Sequence, residues 1–327
     1  MLDVVVIGAG PVGLAAGIEA QRRDLDTLIL EKDALCNSFI GYPTRMEFFS
    51  TPELLEIGGY PFATRDYKPR REEALDYYRR VAVAEDLNIN LYEAVTDLHG
   101  SDGAFTVKTE ESTYETRKVV AATGFYDIPN RMDVPGEDLD KVRHYFKEPF
   151  PYALTDLAII GAGNSAAKAA LACYRHDANV TLIVRDDAID DGVKYWIKPD
   201  LENRIEEGSI DAYFNTTVEA IEEDVLHLDT PDGPEQLDND FVLAMTGYKP
   251  NYEFLDTLGI AVQDDEARTP VHDDEETFET NRDGLYLAGT VCGGCDTSRW
   301  FIENGRFHAE KIVDHISSTL EAEPATV

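Results

Sequence analysis

Positive charge is scarce in this 327-residue chain: 29 Lys+Arg stand against 64 Asp+Glu, a formal net charge of −35. A field of that sign repels phosphate backbones and anionic lipid, so neither nucleic acid nor a membrane surface is an expected partner. Cysteine is scarce too. Four residues, Cys36, Cys173, Cys292 and Cys295, are too few and too unevenly spaced for a disulfide framework in a chain of this length. No apolar run approaches the roughly 20 residues that span a bilayer. An apolar strand starting at Leu2 leaves no room for a charged leader and cleavage site, so a soluble, cytoplasmic protein is expected.

Apolar residues make up 43% of the chain, enough for a packed interior, and the length suggests about two domains. The acids are scattered rather than gathered in a tail, and 10% of the residues are aromatic, unlike disordered acidic segments. The excess therefore reads as a solvated acidic surface suited to high salt.

Residues 2–7 form a near-continuous apolar run, as a buried parallel strand does. Gly8-Ala9-Gly10-Pro11-Val12-Gly13 follows, then a helical pattern through Leu14, Ala15, Ile18 and Ala20. A second apolar run, 27–30, ends in Glu31. Strand, glycine turn, helix, strand and terminal acid together form a dinucleotide fingerprint. The second glycine lets the backbone reach a pyrophosphate, and the helix N-terminus faces its charge. Glu31 would bind ribose hydroxyls and repel a 2′-phosphate, which suits FAD or NAD.

The pattern recurs at 157–185. A strand over 157–160 precedes Gly161-Ala162-Gly163-Asn164-Ser165-Ala166, a helix over 168–174 and a strand over 180–184. Here Val184 stands where Glu31 stood, and Arg185 follows. An arginine in place of the acid suits a 2′-phosphate and favours NADPH over NADH, and Lys194 and Lys198 add positive charge. The expected fold is α/β, with two Rossmann-like domains and the NADPH domain inserted into the FAD domain. The boundaries fall at 1–124 for the first FAD segment, 125–247 for the NADPH domain and 248–327 for the returning FAD segment. Prolines at 129, 135, 149 and 151 mark a linker into the insertion. A last helix is expected over about 298–315, its N-terminus near 296–298 facing the flavin, with a frayed end over 319–327. Two nucleotide sites in one chain imply electron flow from NADPH to FAD.

Cys292-Gly293-Gly294-Cys295 lies just before that helix. Its spacing permits a tight disulfide and a helix N-terminus lowers a thiol pKa, so Cys292 and Cys295 are the candidate catalytic residues. The alternative is two packed or solvent-facing thiols in a glycine-rich loop. No second ligand pair has zinc spacing, and no metal is expected. Cys173 reads as a buried structural thiol and Cys36 as a loop residue.

The order of the FAD fingerprint, Ala122-Thr123-Gly124, the inserted NADPH fingerprint, the run Thr246-Gly247-Tyr248-Lys249-Pro250-Asn251 and the run 285–289 resembles the low-molecular-weight thioredoxin reductase class. The inserted domain of this chain has no Cys-x-x-Cys: its opening stretch, 143–152, contains no cysteine. The runs 37–44, 48–50, 144–149, 194–199 and 301–308 are similar to the bacillithiol disulfide reductase family, which keeps the layout without that dithiol. The resemblance implies NADPH-dependent, FAD-mediated reduction of a low-molecular-weight disulfide, bacillithiol disulfide being the natural candidate, by a homodimer. Members often carry a cysteine in the first glycine turn, where this chain has Val12. FAD contacts are expected at Gly8, Gly10, Pro11, Val12, Gly13, Glu31, Lys32, Asn37, Ser38, Phe49, Ser50, Val95, Thr123, Gly124, Gly289, Thr290, Phe301 and Ile302. NADPH contacts are expected at Gly161, Gly163, Asn164, Ser165, Ala166, Arg185, Lys194 and Gly247.

Two rival readings stay open. A ferredoxin- or flavodoxin-NADP reductase shares the architecture, although this chain has no aromatic residue after His315 to cover a flavin. A non-catalytic flavoprotein that senses redox state through Cys292 and Cys295 is the other. The acidic composition itself makes a prediction: salt screens self-repulsion, so the melting midpoint should rise as KCl is raised from 0.1 M into the molar range. A flat or falling midpoint would contradict the high-salt reading.

Overall fold

The computed structural model describes residues 1–273 and 276–322. The chain divides into two compact units. The first comprises Met1–Ile40, Met46–Ile128 and the chain from Tyr248 onward; the second comprises Gly41–Arg45 and Pro129–Gly247.

In the first unit, strand Leu2–Ile7 lies between Thr27–Glu31 and Thr113–Ala121, parallel to both, and Ile89–Leu91 extends the sheet beyond Thr27–Glu31. Val4, Val5 and Val6 are fully buried because layers cover both faces, which is why the run does not alternate. Strand Thr113–Ala121 changes partners along its length. Its first half continues antiparallel into Ala104–Thr109 and Val95–Ser101, and its last residues pair in parallel with Leu285–Leu287. Helix Pro11–Gln21 packs closely on the sheet, since a Cβ at Gly17 would lie 2.6 Å from Ile29 Cδ1. The last helix, His308–Ala322, lies beside it, with Arg23 Nη2 2.6 Å from the Asp314 carboxylate.

The second unit has an all-parallel sheet in the order Asp211–Tyr213, Asn179–Ile183, Asp156–Ile160, Phe241–Ala244, Val142–Arg143. Helix Asn164–Tyr174 buries Ala166, Ala167, Ala169, Ala170 and Cys173 against Leu157, Ile159, Val180 and Leu182. Burial pushes the Cys173 thiol up to about 12, which leaves it protonated and structural. An antiparallel sheet of Thr217–Ile221, Val225–Thr230 and Gly233–Asp238 completes the unit.

Three local expectations change. The proline-marked stretch is not a bare linker, because it supplies strand Val142–Arg143, paired with Val242 and Leu243. The expected helix over 298–315 is two helices, Ile302–Gly305 and His308–Ala322. Its start shifts because the Ser298 N–H and hydroxyl both donate to the Asp296 carboxylate in a local turn, whereas the Asn304 side chain caps the Phe301 N–H at 2.7 Å. The helix N-terminus expected near 296–298 is therefore at 301–302. Thr319 to Ala322 continue the last helix, and the remainder of the expected frayed end, 323–327, lies outside the described residues.

The glycines of the first turn do different jobs. A Cβ at Gly13 would fall 1.9 Å from the Gly8 carbonyl oxygen, whereas one at Gly10 would meet nothing within 4 Å. Gly13→Ala should therefore destabilise the ligand-free protein by about 1–3 kcal/mol, as overpacking does. Gly10→Ala should stay within about 0.5 kcal/mol of wild type. Denaturant melts of the stripped protein measure both.

Candidate functional site

The first glycine turn sits at the C-terminal ends of the parallel strands, where ligands bind in open α/β sheets. Gly8 has φ +107, and a Cβ there would lie 2.6 Å from the Ala122 carbonyl oxygen. That close approach seats the turn against the Ala122-Thr123-Gly124 segment. Pro11 is the first residue of the helix, where its missing N–H costs nothing. The open space at Gly10, in front of the helix N-terminus, admits a phosphate.

Glu31 ends its strand buried. Its Oε2 accepts the Ala9 N–H at 2.8 Å and its Oε1 accepts the Asp33 N–H at 3.0 Å. Burial raises its pKa, and the two backbone donors pull it back. A carboxylate with about four lone-pair sites still has room for ribose hydroxyls. Cys36 closes the same turn, its N–H and thiol both directed at the Ala9 carbonyl, and burial drives its pKa upward. Around this frame, Asn37 Nδ2 donates to Asp33 at 3.1 Å and Lys32 pairs with Asp127 at 2.6 Å. Ser38 follows in the short helix Asn37–Gly41. The Glu93 N–H donates to the Glu31 carbonyl, bringing the chain to Val95 at the start of its strand.

The returning chain completes the cluster. A Cβ at Gly289 (φ +83) would lie 3.1 Å from Val12 Cγ2, and Thr290 Oγ1 approaches the Gly124 position at 3.8 Å. Phe49 meets Phe301 edge-on at 4.9 Å. The Ser50 hydroxyl donates to Glu303 at 2.6 Å and ties residue 50 to helix Ile302–Gly305.

His308 carried no role in the sequence reading. It is buried, and its Nδ1 accepts the Gly289 N–H at 3.1 Å, which places the ring proton on Nε2. Nε2 is buried without a hydrogen-bond partner among the described residues. The ring stacks on Phe278 at 3.9 Å and meets the edge of Trp300 at 4.4 Å. Burial lowers its pKa to about 3, with His272, Lys311 and Arg299 adding to the effect, so it is neutral at physiological pH. Nothing in its local spacing marked it, because Gly289 lies 19 residues away.

The two candidate thiols have different surroundings. Cys292, on the turn Gly289–Gly293, is fully buried with Sγ 3.9 Å from His308 Nδ1. Cys295 is exposed, its Sγ 3.3 Å from the Tyr252 hydroxyl. Tyr252 also donates to the Arg268 carbonyl at 3.0 Å, and the Arg268 guanidinium lies 4.3 Å over its ring. Burial and the Cys295 sulfur raise the Tyr252 pKa, so this hydroxyl keeps its proton.

The second glycine turn repeats the first. Gly161 has φ +126 and a Cβ there would meet the Met245 carbonyl oxygen at 2.5 Å, while Gly163 faces open space. Ala166 is accommodated, its Cβ 3.7 Å from the Gly161 Cβ position. Asn130, another residue without a sequence-based role, clasps the segment behind the turn: its N–H donates to the Gly247 carbonyl and its Nδ2 to the Thr246 carbonyl. Ser165 is exposed at the helix start. Arg185 lies two residues past its strand, 82% exposed, with Nε 3.9 Å from Asp186. The Lys194 N–H donates to Asn164 Oδ1 at 3.0 Å. Each turn thus fits the pyrophosphate of a dinucleotide, with an acid beside one and a guanidinium beside the other.

Residues 5–289 match the pyridine nucleotide-disulphide oxidoreductase family. The chain is 41% identical over 317 residues to bacilliredoxin reductase Bdr of Bacillus subtilis, covering 96% of this chain and 97% of that protein. The solved bacillithiol disulfide reductase Bdr (YpdA) of Bacillus cereus superposes with a TM-score of 0.94 at 39% identity, over 97% of this chain and 99% of that one. The Staphylococcus aureus protein of the same name gives 0.92 at 40% identity, over 99% of both chains. The chain belongs to the pyridine nucleotide-disulphide oxidoreductase family, in its bacillithiol disulfide reductase group.

Proposed function

We propose that this chain holds FAD on the first glycine turn and NADPH on the second, and reduces a low-molecular-weight disulfide of the bacillithiol disulfide type. The observation that carries the reading is the contrast between two otherwise alike turns. The first has a buried carboxylate, Glu31, at the end of its second strand, and the second has an exposed guanidinium, Arg185. A carboxylate accepts from ribose hydroxyls and repels a 2′-phosphate; a guanidinium pairs with that phosphate. The substrate class follows from the Bdr relatives, one named for bacilliredoxin and two for bacillithiol disulfide.

Thiol–disulfide exchange is the chemistry the chain's own residues support. The Cys295 thiolate attacks one sulfur of the substrate, forming a mixed disulfide and releasing one thiol. Cys292 then attacks the Cys295 sulfur, releasing the second thiol and leaving Cys292 and Cys295 joined. The Tyr252 hydroxyl, which keeps its proton, lies within reach of the Cys295 sulfur and can turn that proton from the Arg268 carbonyl to a Cys295 thiolate. Gly293 and Gly294, the latter at φ +59, give the segment the backbone freedom to bring the two sulfurs together. When bound, FAD and NADPH supply the two electrons that return the pair to dithiols.

Arg185→Ala should raise KM for NADPH roughly tenfold, the worth of one charge-assisted contact, and leave KM for NADH unchanged. Equal effects on both coenzymes would remove the 2′-phosphate assignment. Cys295→Ser should abolish NADPH-dependent turnover of bacillithiol disulfide while NADPH still bleaches the flavin, and bimane labelling of the native protein should mark Cys295 and spare Cys292. Undiminished turnover in that variant would dismiss the thiol relay; preferred turnover of ferredoxin would dismiss the disulfide substrate.

A further inference from the structure

Between strand Asn179–Ile183 and helix Lys198–Glu206 the chain does not take a short path. From Arg185 it turns back and lies across the second glycine turn, held by three hydrogen bonds. The Asp190 N–H donates to the Ala162 carbonyl at 3.3 Å, Asn164 Nδ2 donates to the Gly192 carbonyl at 2.9 Å, and the Lys194 N–H donates to Asn164 Oδ1 at 3.0 Å. Asn164, the first residue of its helix, thus both donates to this loop and accepts from it. Ile189, Val193 and Ile197 anchor the underside in the core.

The loop ends in two exposed aromatic residues. Tyr195 is 83% exposed and Trp196 50%, with ring centroids 4.9 Å apart at 89°. Large aromatic surface facing water beside an open turn is what a stacking partner for another ring requires. The charge of the chain supplies a second reason. A pyridine nucleotide is a polyanion, and a net charge of −35 opposes its approach. Stacking supplies affinity that neither depends on that field nor weakens in salt.

We propose that Tyr195 and Trp196 form a stacking platform for a heteroaromatic ring of the pyridine nucleotide held on the second turn. This rests on the NADPH assignment of that turn. Trp196 and Trp300 are the two tryptophans of the chain, so Trp300→Phe leaves Trp196 as the sole tryptophan emitter; the difference in emission between wild type and Trp196→Phe gives the same readout without that change. NADP+ is titrated in place of NADPH, which avoids reducing the flavin, with binding followed independently by calorimetry.

Trp196 emission and its quenching by acrylamide should both fall over the concentration range in which heat is released. Trp196→Leu should weaken NADP+ binding roughly tenfold and equally at low and high salt, whereas Trp196→Phe should restore most of it. Adenosine 2′,5′-bisphosphate and nicotinamide mononucleotide, each at a concentration shown calorimetrically to saturate, assign the ring. Either one reproducing the NADP+ response supports the platform, and neither doing so overturns it. Calorimetric binding of NADP+ with unchanged Trp196 emission would overturn the platform and leave the NADPH assignment standing. Absence of calorimetric binding would overturn both.

Discussion

Both glycine turns press against the carbonyl oxygen of the residue that follows a strand entering the sheet much later in the chain. The Ala122 oxygen leaves no room for a Cβ at Gly8, and the Met245 oxygen leaves none at Gly161; both glycines have positive φ. With a side chain at either position the turn would stand off from the strand behind it. The helix N-terminus would lose its position over the strand ends, and the following Thr123-Gly124 or Thr246-Gly247 segment would no longer face the turn. The rest of each site is built outward from this contact.

On that shared steric frame the two sites diverge in charge. The first takes a buried carboxylate that serves two backbone donors, so Glu31 contributes to the shape of the turn. The second keeps its charge outside: Arg185 is mostly solvated beside Asp186. An exposed guanidinium in a strongly acidic chain is partly screened and partly neutralised. The neutral His308 shows the opposite strategy. A buried imidazole whose pKa is pushed to about 3 adds no charge to the first site and holds the Gly289 N–H in place.

Elements governed by local periodicity were legible in the residues. The apolar run at Leu2–Ile7 and the glycine turns placed the βαβ units, because a strand buried on both faces and a helix N-terminus each leave a local signature. Elements governed by distant partners were not. Gly41–Arg45 joins the second unit through contacts such as the Thr44 N–H donating to the Lys147 carbonyl, across more than 100 residues. The helical segment starts at Ile302 and not near Ser298 because Asp296 holds the Ser298 N–H in a turn while Asn304 caps the Phe301 N–H, an outcome that depends on side-chain geometry. The Ser50 hydroxyl donates to Glu303, a partner more than 250 residues away that no local pattern announces.

Chain order alone determined that two dinucleotide turns exist, that one carries an acid and the other an arginine, and that a Cys-x-x-Cys precedes the final helices. These depend on neighbouring residues, and a few positions of sequence contain them. Tertiary structure alone decided that Cys292 lies buried against His308 while Cys295 lies exposed beside Tyr252, and that the segment after Arg185 folds back over its own glycine turn. Those facts depend on which distant groups share a small volume, and side-chain order along the chain does not encode distance through space.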